Sequence, residues 1–115
     1  MPEFKYKGKT FNNPVEFALH KIGGKWKMPI LWRLDKKVYR TGELMRDIPN
    51  ITQKMLTQQL RELEDDGLVH RKVYPEVPPR VEYSITELGR SALPLVHALR
   101  NWGLEQMKEE GIQHP

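Results

Sequence analysis

The feature that most constrains this chain is the stretch from Ile51 to Val69, which reads as one helix with both ends marked. The Thr52 hydroxyl can accept from free amides of a first turn, as an N-cap does. Gly67 can take positive φ without steric cost, as the residue after a helix C-cap often must. At roughly 100° per residue, Leu56, Leu60 and Leu63 fall on one side, with Gln59 between them and Met55 at the edge. Lys54, Thr57, Gln58 and Arg61 fall on the other side at spacings i, i+3, i+4, i+7. That stripe carries two cations and several hydrogen-bonding groups. Glu62, Glu64, Asp65 and Asp66 crowd the last turns, where carboxylates oppose the helix dipole.

What flanks this helix gives it a setting. Lys36 to Arg40 reads as a turn and a very short strand. Thr41 reads as an N-cap, with Glu43 in the first turn of a short helix through Asp47. Ile48-Pro49-Asn50-Ile51 breaks that helix, and the long one follows at once. A short helix, a tight turn and a second helix with an outward polar stripe, over residues 41–66, make a helix-turn-helix. Beyond Gly67, Leu68 to Tyr74 has strand composition, Pro75 to Pro79 is a rigid break, and Arg80 to Ile85 alternates apolar and polar residues. The resulting hairpin, residues 68–85, is a wing, and Arg71, Lys72 and Arg80 suit it to phosphates or a minor groove. The fold expected is α+β and predominantly helical: a winged helix-turn-helix with a two-stranded β-hairpin wing and a C-terminal dimerisation helix.

Toward the N-terminus, Asn13-Pro14 reads as an N-cap followed by proline at the first helical position. The helix through Val15, Phe17, Ala18, Leu19 and Ile22 ends at Gly23-Gly24. A second helix holds Trp26, Ile30, Leu31, Trp32 and Leu34. Pro29 requires it to start late or bend. Residues 1–12 interleave Lys5, Lys7 and Lys9 with Phe4, Tyr6 and Phe11. This arm is open to three readings: a loosely ordered segment, packing on a neighbouring subunit, or a basic arm near nucleic acid.

Thr86 reads as the cap of the last helix, residues 86–110, with a possible kink at Pro94. Its apolar residues, Leu88 to Met107, cover about 200° of the wheel, wider than one core-facing stripe needs. Leu88, Ala92, Leu95, Leu99 and Trp102 alternate by four and three, as in a packing seam. The helix is thus expected to face both its own domain and a second chain.

Composition narrows the function classes. At 115 residues one domain is expected, and the net charge of +4 is compatible with a polyanionic partner. With no cysteine, disulfides, thiolate metal sites and cysteine-based sensing are excluded. His20, His70, His97 and His114 match no metal spacing. Ser84 and Ser91 sit in no nucleophile motif, and no glycine-rich phosphate loop occurs. No cofactor, metal or catalytic residue is expected, and the chain is read as no enzyme. No apolar run approaches the roughly 20 residues that span a bilayer, so a soluble cytoplasmic protein without membrane contact is expected.

The order of elements and the residues together resemble the HxlR-type transcriptional regulators, a winged helix-turn-helix group close to the MarR type. Asn13-Pro14-Val15-Glu16-Phe17, Ile22-Gly23-Gly24-Lys25-Trp26 and Ile51 to Val69 carry the resemblance. So do Tyr74-Pro75-Glu76-Val77-Pro78-Pro79-Arg80-Val81-Glu82-Tyr83 and Thr86-Glu87-Leu88-Gly89-Arg90. It spans roughly residues 11 to 107. It implies a homodimer on pseudo-palindromic double-stranded operator DNA, with dimer contacts from the N- and C-terminal helices. Many members carry a cysteine immediately before the Pro-Val of the first helix. Asn13 stands there, so oxidant sensing through it is not inherited.

On this reading the DNA-binding residues are Arg40, Thr41, Thr52, Gln53, Lys54, Thr57, Gln58, Arg61, Arg71, Lys72 and Arg80. The dimer residues are Phe11, Val15, Phe17, Leu95, Leu99 and Trp102. Gln58 can offer a bidentate pair to adenine, and Arg61 or Lys54 can bond guanine or phosphate. The acidic end of the helix would point away from the duplex. The rival is a winged-helix protein–protein interaction module without DNA binding. An effector pocket among Phe17, Trp26, Trp32 and Trp102 at the dimer interface is a further option.

Overall fold

In the computed structural model, residues 2–114 are described. The N-terminal segment forms a hairpin of β1 (Phe4–Tyr6) and β2 (Lys9–Phe11), in register Phe4↔Phe11 and Tyr6↔Lys9. Its two-residue turn places Lys7 at φ 48° and Gly8 at φ 78°. Positive φ at both central residues gives the twist that a tight hairpin needs. The hairpin packs on its own chain, which corrects the loose-arm reading. Phe4, Tyr6 and Phe11 gather around Phe17 with ring centroids 5.2–5.6 Å from it. Edge-to-face geometry of this kind suits aromatic quadrupoles.

Helix α1 (Pro14–Ile22) starts as expected, with Asn13 Oδ1 accepting from the Glu16 N–H at 2.8 Å. Helix α2 (Lys27–Lys36) starts late enough to put Pro29 in its first turn, where the missing N–H costs nothing. Strand β3 (Tyr39–Arg40) leads into α3 (Thr41–Asp47). Here the cap shifts by one residue: Arg40, not Thr41, is the N-cap, and its backbone N–H donates to the Glu43 carboxylate at 2.8 Å. The half-buried Thr41 is already helical. Asn50, at φ 68°, turns the chain into α4 (Gln53–Asp65).

Both marked ends of α4 hold. Thr52 Oγ1 accepts from Met55 N at 3.1 Å. At the other end Gly67 adopts φ 78°, the Leu68 N–H reaches Leu63 O and the Gly67 N–H reaches Glu64 O, both at 2.9 Å. This is the paired closure of a Schellman cap. Leu56, Leu60 and Leu63 are buried against Ile30, Leu31 and Leu34 of α2 and Leu44 of α3.

The wing, β4 (Val69–Tyr74) and β5 (Arg80–Ile85), pairs antiparallel from Val69↔Ile85 to Tyr74↔Arg80. It is extended by β3, so the sheet has three strands in the order β3-β5-β4. Helix α5 (Glu87–Ser91) follows the Thr86 cap. Gly89 lies so near β4 and β5 that a Cβ there would stand 2.2 Å from the Leu68 carbonyl oxygen.

The last helix is not continuous. It stops at Ser91 and restarts as α6 (Leu93–Glu109). Pro94 lacks the N–H that would bond the Arg90 carbonyl, and its ring would clash there, so the break falls at Ala92 and proline occupies a first turn. The two-faced character of the C-terminal segment holds. Leu93 and Val96 are buried, whereas Leu95, Leu99 and Trp102 are half or more exposed. Among the described residues no helix is long and apolar enough to cross a membrane.

Candidate nucleic-acid interface

The buried leucines of α4 fix its rotation, so the opposite stripe must face out. Gln53, Lys54, Thr57, Gln58 and Arg61 are all exposed and line one surface depression. Thr52 is exposed, but its hydroxyl is engaged in capping. Thr57 and Arg61 also line a neighbouring cleft, whose far wall is Arg71 and Tyr83 of the wing, with Glu64 at its edge. Arg71 pairs across the sheet with Tyr83, on the face turned toward α4. The α4 stripe and Arg71 thus form one continuous surface.

The other expected residues separate from it. Lys72 pairs with Glu82 on the opposite face of the sheet, and its Nζ lies 4.8 Å from the Tyr74 ring centroid. Arg80 is folded back into the wing. Its guanidinium stacks 3.9 Å from the Tyr74 centroid, between Glu76 at 3.4 Å and Glu82 at 3.7 Å. Its Nε is buried without a hydrogen-bond partner. The cation that the wing turns toward the helix is Arg71. Arg40 and Thr41 line a third depression with the wing connection, Glu76 to Val81, away from the α4 patch.

Half of the acidic end of α4 is taken up by the chain itself. Asp66 accepts from the Tyr6 hydroxyl at 2.9 Å and pairs with Lys7 Nζ at 3.4 Å. Lys7 also donates to the Asp65 carbonyl, a cation at a helix C-terminus where the dipole favours one. Glu62 meets the buried ammonium of Lys27 at 2.9 Å, and that contact holds its carboxyl below the usual carboxylate range. Glu64 and Asp65 keep exposed side chains. The carboxylates that made the sequence of α4 net acidic are therefore only partly available to solvent. Sequence reasoning had no signal for Lys27, since nothing local marks that lysine as the buried one.

Among the expected dimer residues, Val15, Leu95, Leu99 and Trp102 are exposed. Phe17 is half-buried in the aromatic cluster. Phe11 is 4% exposed within its own chain, so its side chain has no surface left for a partner. Within the single chain Phe17, Trp26, Trp32 and Trp102 do not line one cleft together. A shallow apolar cleft of about 330 Å³ lies between α2 and α6, lined by Met28, Pro29, Trp32, Arg33, Val96, Leu99 and Arg100. Only Trp32 of the four aromatics borders it.

A helix-turn-helix on a buried scaffold, with an outward amide-and-cation stripe and an adjoining wing, defines a winged-helix DNA-binding protein. Comparison with known proteins agrees. The profile described as HxlR-like helix-turn-helix matches residues 21–111, and the chain belongs to that family. An HTH-type transcriptional regulator of Methanothermobacter thermautotrophicus is 56% identical over 89 residues, 77% of this chain and 68% of that protein. The crystal structure of the HTH-type transcriptional regulator ytcD superposes with a TM-score of 0.80 at 52% identity, covering 84% of this chain and 99% of that one. The redox regulator HypR in its reduced form superposes with a TM-score of 0.77 at 52% identity, over 84% of this chain and 94% of that one. The protein is a DNA-binding transcriptional regulator of the HxlR type, with MarR-like structural relatives, and not an enzyme.

Proposed function

We propose that the chain is a cytoplasmic regulator that binds operator DNA as a homodimer, with α4 in the major groove and the wing against the flanking backbone. The observation that carries this is the single exposed surface made by Gln53, Lys54, Thr57, Gln58 and Arg61 with Arg71 beside it. The helix that bears it is anchored by three buried leucines and capped at both ends, so the side chains project from a rigid support. Gln53, Gln58 and Thr57 offer the groups that read base edges, while Lys54, Arg61 and Arg71 offer charge to phosphates. Thr52 contributes by fixing the entry of the helix, and Arg40 and Thr41 approach the backbone from the start of α3. Lys72 offers charge from the outer face of the wing, where Arg80 stays folded against Tyr74.

Dimerisation is supported by the apolar surface left on α1 and α6. Val15 is 68% and Trp102 64% exposed, and Leu95 and Leu99 are about half exposed. Such a face on a small domain calls for a partner of similar character. Two copies would set two α4 helices about 34 Å apart, one turn of duplex. The interaction-module alternative loses its main support, because Glu62 and Asp66 are bound within the chain.

A mobility shift on the DNA upstream of its own gene, repeated at rising salt, tests the proposal. Binding at low salt that weakens steeply with salt is expected; no shift at low salt would overturn it. Light scattering should give a dimer, and Trp102→Glu a monomer that binds the same DNA far more weakly.

A further inference from the structure

Lys27, 5% exposed, is the buried charged residue of the core among the described residues. An ammonium leaves water only when it is well partnered. Its Nζ lies 2.9 Å from Glu62 Oε1 and donates to the His20 carbonyl at 3.3 Å. Glu62 stands on α4 four residues after Gln58, the spacing at which helix side chains meet. Its other oxygen, Oε2, accepts from Gln58 Nε2 at 3.3 Å. A line of contacts thus runs from the α1–α2 junction, through a carboxylate that cannot turn freely, to an amide in the exposed patch.

The chemistry of that last contact has a direction. A carboxylate only accepts, so it can hold the Gln58 amide only through an N–H. What remains for a partner is the amide oxygen and the second N–H, one acceptor beside one donor. Adenine presents the complement in the major groove, its N6 amino group and N7. Guanine presents two acceptors, O6 and N7. An amide free to flip or swing would discriminate less between them.

We propose that Lys27 and Glu62 are a positioning pair that sets the Gln58 amide to read adenine and reject guanine at one base pair of each half-site. This rests on the reading of α4 as the base-contacting helix. Neither residue touches DNA; both act through Gln58. If the pair merely held α2 against α4, its removal would lower stability or weaken all sequences alike.

The full-length protein is used to select binders from duplexes with a randomised centre, and the selected pool is sequenced. Gln58→Ala identifies the base pair that Gln58 reads. The decisive variant is Lys27→Met combined with Glu62→Leu, which removes both charges without leaving either unpaired and keeps the net charge, hence the salt dependence, unchanged. The wild type should favour adenine over guanine at the Gln58 position by roughly tenfold or more. The double variant, folded by circular dichroism and equally bound to random duplex at low salt, should cut that preference below threefold. Preference elsewhere in the site should hold, and Lys27→Arg should retain adenine selection. Full adenine preference in the double variant, or a uniform loss at all positions, overturns the positioning role and leaves α4 as the reader. Guanine preferred by the wild type, or a Gln58→Ala pool identical to wild type, overturns the assignment to Gln58. A wild type that selects no sequence overturns the DNA reading of α4 together with the pair.

Discussion

Two hairpins of this chain look alike on paper and serve opposite ends. β1–β2 carries Lys5, Lys7 and Lys9 among Phe4, Tyr6 and Phe11; β4–β5 carries Arg71, Lys72 and Arg80 among Tyr74 and Tyr83. The first closes down on its own chain. Its aromatic face packs on Phe17 and His20, and its turn lysine and Tyr6 tie off the end of α4. The second presents Arg71 to the cleft beside α4, and its tip carries Val77 fully exposed. The difference lies in what the apolar side chains have to pack on. In the N-terminal hairpin Phe4, Tyr6, Lys9 and Phe11 share one face by register, so three aromatics bury together and the cations are carried to the rim. In the wing, Tyr74 lies beyond the core and its ring is covered by Lys72 and Arg80 of the same hairpin. A basic aromatic hairpin is therefore not by itself a nucleic-acid contact.

The contrast can be broken most sharply at Phe11. Phe11→Ala should cost about 3 kcal/mol of unfolding free energy, at the low end for a buried phenylalanine because the cluster is open on one side. Val77→Ala should leave stability unchanged, since that side chain touches solvent. Urea titration of both variants measures this, and a Phe11→Ala cost below about 0.5 kcal/mol would mean that β1–β2 does not pack in solution.

Arg71→Ala should weaken DNA binding roughly tenfold, about 1.4 kcal/mol, and lower the salt slope by about one unit, with thermal unfolding unchanged. Lys5→Ala, on the outer face of the first hairpin, should do neither. Anisotropy titrations across a salt series compare the two, and equal slopes for both would erase the distinction between the hairpins.

Tyr6→Phe removes only the hydroxyl that donates to Asp66 and should cost about 1 kcal/mol. A null result in thermal melts would show that the aromatic face alone docks the hairpin. The smallest effect is expected at Arg80. Arg80→Ala should lose about 0.5 kcal/mol from its stacking on Tyr74 and change the salt slope less than Arg71→Ala, because Glu76 and Glu82 already accompany the guanidinium. A slope change equal to that of Arg71 would put Arg80 back among the phosphate contacts.

Much of this was legible in the residues, for a definite reason. The caps at Asn13, Thr52, Gly67 and Thr86 act within four residues of themselves, and each stands as expected. The outward stripe of α4 follows from helical period alone, and the wing from alternation around a proline-rich break. What was illegible depended on distant partners or unusual local choices. The Lys7-Gly8 turn lacks the asparagine or aspartate that announces a tight hairpin, so residues 1–12 read as an arm. The cap of α3 fell one residue early because Glu43 reaches back to a backbone N–H, which needs no capping side chain. Pro94 was visible, but a kink and a break differ only in whether the next turn has other support, and Leu93 and Val96 supply it by packing inward.

The sequence by itself determined the order of elements from α1 to β5 and the rotation of α4 about its axis. These follow from periodicity and short-range hydrogen bonding, which neighbouring residues settle among themselves. Tertiary structure alone decided which charges are free. In the sequence Arg80 reads as a DNA contact, Glu62 and Asp66 as a solvated acidic helix end and Lys27 as nothing in particular, yet each is committed to a partner within the fold. Coulomb and hydrogen-bond partners separated by tens of residues come together only when α2, α4 and the hairpins have packed, and that packing leaves Gln53, Lys54, Thr57, Gln58, Arg61 and Arg71 as the surface the protein presents.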